Sequence, residues 1–139
     1  MRERAAFDYA LIRVVPRVER EEFLNVGAVL YCPTRRFLAA RVELDRGRLA
    51  ALDASLDLDL IEKHLQAIPA ICAGDARAGP MAALSHSERF HWVVAPRSTV
   101  VQTSPVHGGL ADDPARELEH LINTMVRCLP RSPASSREP

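Results

Sequence analysis

Phe7-Asp8-Tyr9-Ala10-Leu11-Ile12-Arg13-Val14-Val15 is the stretch from which the fold can be read. It is rich in β-branched and aromatic residues and stops at Pro16, which has no backbone N–H to continue a ladder. Both alternating faces are apolar, so it reads as a strand in the middle of a sheet. A period of two puts Phe7, Tyr9, Leu11, Arg13 and Val15 on one side. Arg13 is the exception on that side. A guanidinium among apolar neighbours requires an anionic group nearby. Either one of Glu19, Glu21 and Glu22 supplies it as an internal ion pair, or a ligand does.

Residues 17–25 read as a charged connection, and residues 26–32 as a second strand. Gly27 inside that strand signals a bulge or a close backbone approach. Pro33-Thr34-Arg35-Arg36 is a turn with proline at its favoured second position. Residues 37–44 alternate cleanly: Leu38, Ala40, Val42 and Leu44 face a core, Arg41 and Glu43 face water. The second and third strands therefore form a hairpin.

Helical periodicity follows. Residues 46–53 predict a short helix. Leu58, Ile61, Leu65, Ile68 and Cys72 recur three and four apart, an amphipathic stripe with Asp57 as its N-cap. Asp59 and Lys63 are spaced to pair on its outer face. Pro69 is expected to kink or end this helix. Ser85 with Glu88 fits a capping box, which favours a short helix over residues 85–95, although Phe90, Trp92 and Val94 also fit strand alternation. Residues 98–103 read as a strand and Ser104–Gly109 as a loop. The last helix opens at Asp112 or Asp113 with Pro114 first, and carries the stripe Ala115, Leu118, Ile122, Met125 and Leu129. Residues 131–139 read as a disordered tail after a single domain of residues 1–130. Three consecutive strands followed by gathered helices imply an α+β fold: a small, mostly antiparallel sheet with helices packed on one face.

Composition narrows the function classes. The chain has 139 residues, with 18 basic and 18 acidic groups. Zero net charge disfavours a basic nucleic-acid coat and an acidic solvating tail. The balance is uneven: residues 1–50 carry 10 basic against 7 acidic groups, and the remainder offsets them. Of the basic residues only Lys63 is lysine. Cys32, Cys72 and Cys128 are far apart and unpaired in pattern, which fits small buried hydrophobes better than a disulfide framework or a zinc ribbon. The N-terminus leads into Phe7 without an apolar leader, and no stretch is long enough to span a membrane. A cytoplasmic protein is expected.

Phosphate-loop, dinucleotide-binding, nucleophile-elbow and zinc-protease motifs are all missing, so no cofactor and no metal are expected. His64 and His120 read as solvated helix positions; His86 and His91 are five apart and share no helix face. The stretch densest in hydrogen-bonding side chains runs from Arg97 through Ser98, Gln102 and His107 to Asp113. Arg97 offers two parallel donors for a phosphate or carboxylate. His107, followed by two glycines, is the general acid/base candidate. The same polar residues also serve turns and helix caps. A second cluster, Arg17 to Glu22 with Asn25, reads as a solvated loop or as the completion of a site near Arg13.

Several blocks together carry a resemblance. They are Phe7-Asp8-Tyr9-Ala10 with Arg13-Val14-Val15-Pro16, then Glu22-Phe23-Leu24-Asn25-Val26-Gly27, then Arg89-Phe90 to Trp92. The last is Ala95-Pro96-Arg97-Ser98 through Gln102-Thr103-Ser104-Pro105-Val106-His107. Over about residues 7–127 the chain resembles the bacterial family called domain of unknown function 3037. That resemblance implies a small cytoplasmic protein whose genes often lie beside a gene for a HipA-like kinase, and hence a protein partner. It assigns no catalytic residues. The polar positions within the matching blocks are Arg13, Glu22, Asn25, Arg97, Ser98, Gln102 and His107. Two expectations follow. One is a non-enzymatic interaction or regulatory module that partners a HipA-like kinase. The other is an anion-binding domain or enzyme acting on a phosphorylated or nucleic-acid substrate through Arg97 and His107.

Overall fold

The computed structural model describes residues 3–127. Its first strand, β1 (Ala5–Val14), is the longest and central one. β2 (Leu24–Cys32) and β3 (Phe37–Val42) continue on one side of it. β4 (Val101–Thr103) and β5 (His107–Ala111) both pair with its other edge. All four pairings are antiparallel. Between the strands lie α1 (Arg46–Leu52), α2 (Leu58–Ala73) and α3 (His86–Val94). The last strand leads into α4 (Pro114–Leu121), which widens into a π-helical turn over Ile122–Val126. The α+β class read from the sequence holds.

The expected single helical layer does not. Ala10, Ile12, Val14 and Val29 pack with Leu65, Ile68, Phe90 and Val93 beneath α2 and α3. On the opposite face Phe7, Ala28, Leu30 and Cys32 pack with Leu118, Leu121, Ile122 and Val126 beneath α4. A central strand apolar on both faces requires cover on both, so α4 must cross to the second side. Full burial of a residue such as Leu65 or Ile122 contributes about 1.5–3 kcal/mol to folding.

Gly27 has the role its position suggests. The register runs Ile12–Gly27 and then Arg13–Asn25, leaving Val26 as the extra residue of a bulge. A Cβ on Gly27 would sit 3.2 Å from the Cα of Val42 and closer still to the Arg41 carbonyl oxygen. The bulge starts β2 at Leu24, two residues earlier than read, and brings Asn25 into the ladder opposite Arg13.

The helix starts are as read. Asp45, Asp57 and Asp113 accept backbone N–H bonds at their N-caps, and Ser85 with Glu88 forms a capping box that resolves residues 85–95 as helix. Pro69 does not end α2, which runs on to Ala73 and closes at Gly74 in the left-handed region. Ile71 and Cys72 beyond Pro69 are buried in the core, and the buried Arg89 ties down the last turn. Its Nη1 donates to the carbonyls of Ile71 at 3.0 Å and Cys72 at 2.8 Å, and its Nε donates to Leu84 at 2.9 Å. Those bonds add to the Gly74 and Asp75 N–H groups, which donate to the Ile71 and Ala70 carbonyls, in closing the last turn. Asp59 does not pair with Lys63; it accepts from Arg46 at 2.8 Å. Residues 98–100 precede β4 rather than belonging to it.

The stretch Ser104–Gly109, read as a loop, ends in β5. Pro105 interrupts the edge, and Ser104 bridges the gap: its Oγ accepts the Leu11 N–H at 2.8 Å, while its N–H donates to the Leu11 carbonyl. Beyond that bend His107–Ala111 rejoin β1. Two glycines hid the strand, because they carry no alternation to read. Gly109 is required there, since the Phe7 ring lies across it and a Cβ would fall 2.7 Å from Phe7 Cζ. The final stripe is displaced too. Met125 is exposed and Val126 buried, because a π turn takes more residues per turn and rotates the chain past the 3.6-residue phase. Cys128, Leu129 and the tail read over residues 131–139 lie outside the described residues.

Candidate functional site

Three of the polar candidates form one row. Asn25 on β2, Arg13 on β1 and Gln102 on β4 are direct cross-strand neighbours. The row crosses the sheet on the face that carries α4, but α4 covers β2, β3 and the Phe7 end of β1 and leaves the Arg13 end open. On the β1 side of that face Tyr9, Leu11 and Arg13 are half-buried. Phe23 and Met125 stand exposed beside them, at 46% and 45%. His107 is the cross-strand neighbour of Tyr9 on the same face, with ring centroids 5.5 Å apart.

Arg13 is the chemical centre of this open half. Its guanidinium lies 3.9 Å from the centroid of the Phe23 ring. Among the described residues no carboxylate reaches it within ion-pair distance, and its Nε is buried without a hydrogen-bond partner. Loss of water around it lowers its pKa from the ordinary arginine value. The expected internal pair does not form. Glu22 is committed to Arg20, with Nε and Oε1 2.5 Å apart, in a polar cleft with Arg17, Pro16, Leu52 and Asp53. Asn25 donates through Nδ2 to the Met125 carbonyl at 3.3 Å, and its Oδ1 is a second buried atom with no partner. Gln102 is engaged locally, donating to the Thr99 carbonyl at 2.7 Å.

Arg97 and Ser98 lie elsewhere. Arg97 caps α3: its Nη1 donates to Val93 at 3.0 Å and its Nη2 to Trp92 at 2.6 Å, with the guanidinium 4.5 Å from the Trp92 ring. It lines an apolar hollow with Ile68 and Ile71, on the α2–α3 side of the sheet. Ser98 is exposed beside it. His107 packs against Tyr9 on the α4 side, so the sheet separates Arg97 from His107.

Among the described residues the remaining titratable groups form no centre. No group of three or more His, Cys, Asp and Glu among the described residues could hold a metal ion. His64 and His120 are exposed, and the His91 ring binds the Ser87 carbonyl. Cys32 and Cys72 are buried free thiols. Burial pushes the Cys72 thiol up to about 12, against a smaller opposing effect of Arg89. No described helix is long and apolar enough to cross a membrane.

Two contributors escaped the sequence. Phe23 is a lone aromatic at the end of the run Arg17–Glu22, and an apolar ring in charged surroundings was the signal available. Arg89 left no such signal, because its partners are backbone carbonyls from two other segments.

Comparison with known families agrees with the resemblance read from the blocks. The family described as protein of unknown function (DUF3037) matches residues 9–126. The chain belongs to this family. The span shared with DUF3037 contains every strand from β2 to β5, all four helices and each residue of the Arg13 row. No curated protein and no solved structure matches the chain.

Proposed function

We propose that this DUF3037 chain is a non-enzymatic interaction module, and that its contact surface is the open half of the α4 face. The observation that carries this reading is Arg13. A half-buried guanidinium, braced on an exposed aromatic ring and with no carboxylate within ion-pair distance among the described residues, is arranged to take one from a partner. Phe23 and Met125 supply apolar contact area around it, the mixture of aromatic, methionine and arginine that interfaces favour. The partner is therefore a protein presenting an Asp or Glu side chain within an apolar surround. The family resemblance suggests a HipA-like kinase.

The absence of a motif and the separation of Arg97 from His107 by the sheet favour this reading over anion-directed catalysis. Calorimetric titration of the purified chain into a HipA-like kinase from the same genome tests it. Saturable binding is expected, weakened at least tenfold by Arg13→Ala (~1.4 kcal/mol) and unchanged by Arg97→Ala. No heat of binding, or equal loss in both variants, overturns it.

A further inference from the structure

Among the described residues the sheet has three free edges, and they differ. The β3 edge is flanked by Arg36, Arg41 and Glu43, charged residues of the kind that discourage strand addition. The β4 edge is occupied by its own loop: Thr99 Oγ1 donates to the Val101 carbonyl at 2.8 Å, and Gln102 donates back to Thr99. β5 has neither protection. His107-Gly108-Gly109-Leu110-Ala111 contains no Asp, Glu, Lys, Arg or Pro, and its first four residues are exposed. Leu110 is the most exposed large apolar side chain of the described residues, at 61%.

The sequence of this edge is complementary to itself. An antiparallel pairing of two β5 strands about a two-fold axis through Gly109 sets Leu110 of one copy opposite Gly108 of the other. It does so twice, by symmetry. A protruding leucine thus meets a position with no side chain. The same pairing sets each His107 opposite its mate's Ala111, next to the acidic Asp112. The chain's net charge is zero, so long-range repulsion does not oppose association of two copies. We propose that β5 is a homodimerisation edge, through which two copies of this chain join their sheets into one continuous antiparallel sheet. A second copy fits better than an arbitrary extended peptide, because glycine and leucine are spaced to fill each other only in this register.

Sedimentation equilibrium of the full chain, together with amide hydrogen exchange, tests this. A concentration-dependent monomer–dimer equilibrium is expected, with exchange in residues 108–110 slowing as dimer forms. Leu110→Lys should raise the dimer Kd at least tenfold. Gly108→Val should do the same by filling the seat of the mate's Leu110. The fold tolerates that Cβ, whose nearest neighbours are Asp8 Oδ1 at 3.5 Å and the Phe7 carbonyl oxygen at 3.6 Å. Circular dichroism confirms that both variants remain folded. A monomer at every concentration up to about 1 mM overturns the proposal, as does a dimer indifferent to both substitutions. Pairing only with an added extended peptide also overturns it.

Discussion

Replacing Arg89 with methionine isolates one device, the arginine that closes the end of α2. Methionine keeps much of the apolar stem of this α3 side chain and removes the guanidinium. Three hydrogen bonds disappear, to Ile71, Cys72 and Leu84, at 3.0, 2.8 and 2.9 Å. Arg89 is only 8% exposed, so water cannot simply replace it at the Ile71 and Cys72 carbonyls. Hydrogen bonds to a charged donor are worth about 1.5–3 kcal/mol each, and the three share one cation, so a loss of about 3–4 kcal/mol is expected. With a urea m-value of about 2 kcal/mol/M for a chain of this size, the unfolding midpoint falls by about 1.5–2 M. Urea denaturation followed by circular dichroism reads this directly. Arg89→Lys should fall between wild type and Arg89→Met, because an ammonium keeps the charge but not the fork that spans two segments. A midpoint within ~0.3 M of wild type for Arg89→Met would refute the argument that this arginine ties down the end of α2.

Other expectations follow from the same contacts. Gly109→Val should lower the melting temperature by about 5 °C, since its Cβ collides with the Phe7 ring, whereas Gly108→Val should leave it within ~1–2 °C; equal effects in differential scanning calorimetry would contradict the account of β5. Cys72 should resist alkylation at pH 8 in the native state and react fully in urea, because its thiol is held protonated up to about 12. The sign for stability follows. A thiol whose folded pKa lies above its ordinary value of 9.0 favours the fold at neutral pH, and that contribution is lost between about pH 9 and 12. Pulse alkylation across that range measures the onset, and rapid native labelling at pH 8 would contradict it.

The fold was legible where side chains alternate or repeat. β1 announced itself through two apolar faces, and those two faces already contained the demand for helices on both sides that the one-layer reading overlooked. Asp57, Ser85 and Asp113 marked helix starts because capping is a local interaction between residues two or three apart. β5 was hidden because Gly108 and Gly109 carry no pattern, and its strand character comes from pairing with β1. Pro69 misled because a proline removes one backbone bond while Ile71 and Cys72, buried beyond it, keep the last turn packed. The candidate site was partly legible. Arg13 stood out as a charge on an apolar face, and Asn25 joined it only through the bulge at Val26. Arg97 and His107 looked alike in sequence, as polar residues beside turns, and only the sheet between them distinguishes their surroundings.

Hydroxyl-radical footprinting of the chain alone and mixed with the HipA-like kinase tests the proposed interaction surface most directly. Phe23 and Met125 are exposed, oxidisable and on the open half of the α4 face, while Trp92 is exposed on the other side of the sheet. Protection of Phe23 and Met125 with Trp92 unchanged is the predicted result. Protection of Trp92 alone, or no protection at Phe23 and Met125 under saturating kinase, would contradict it.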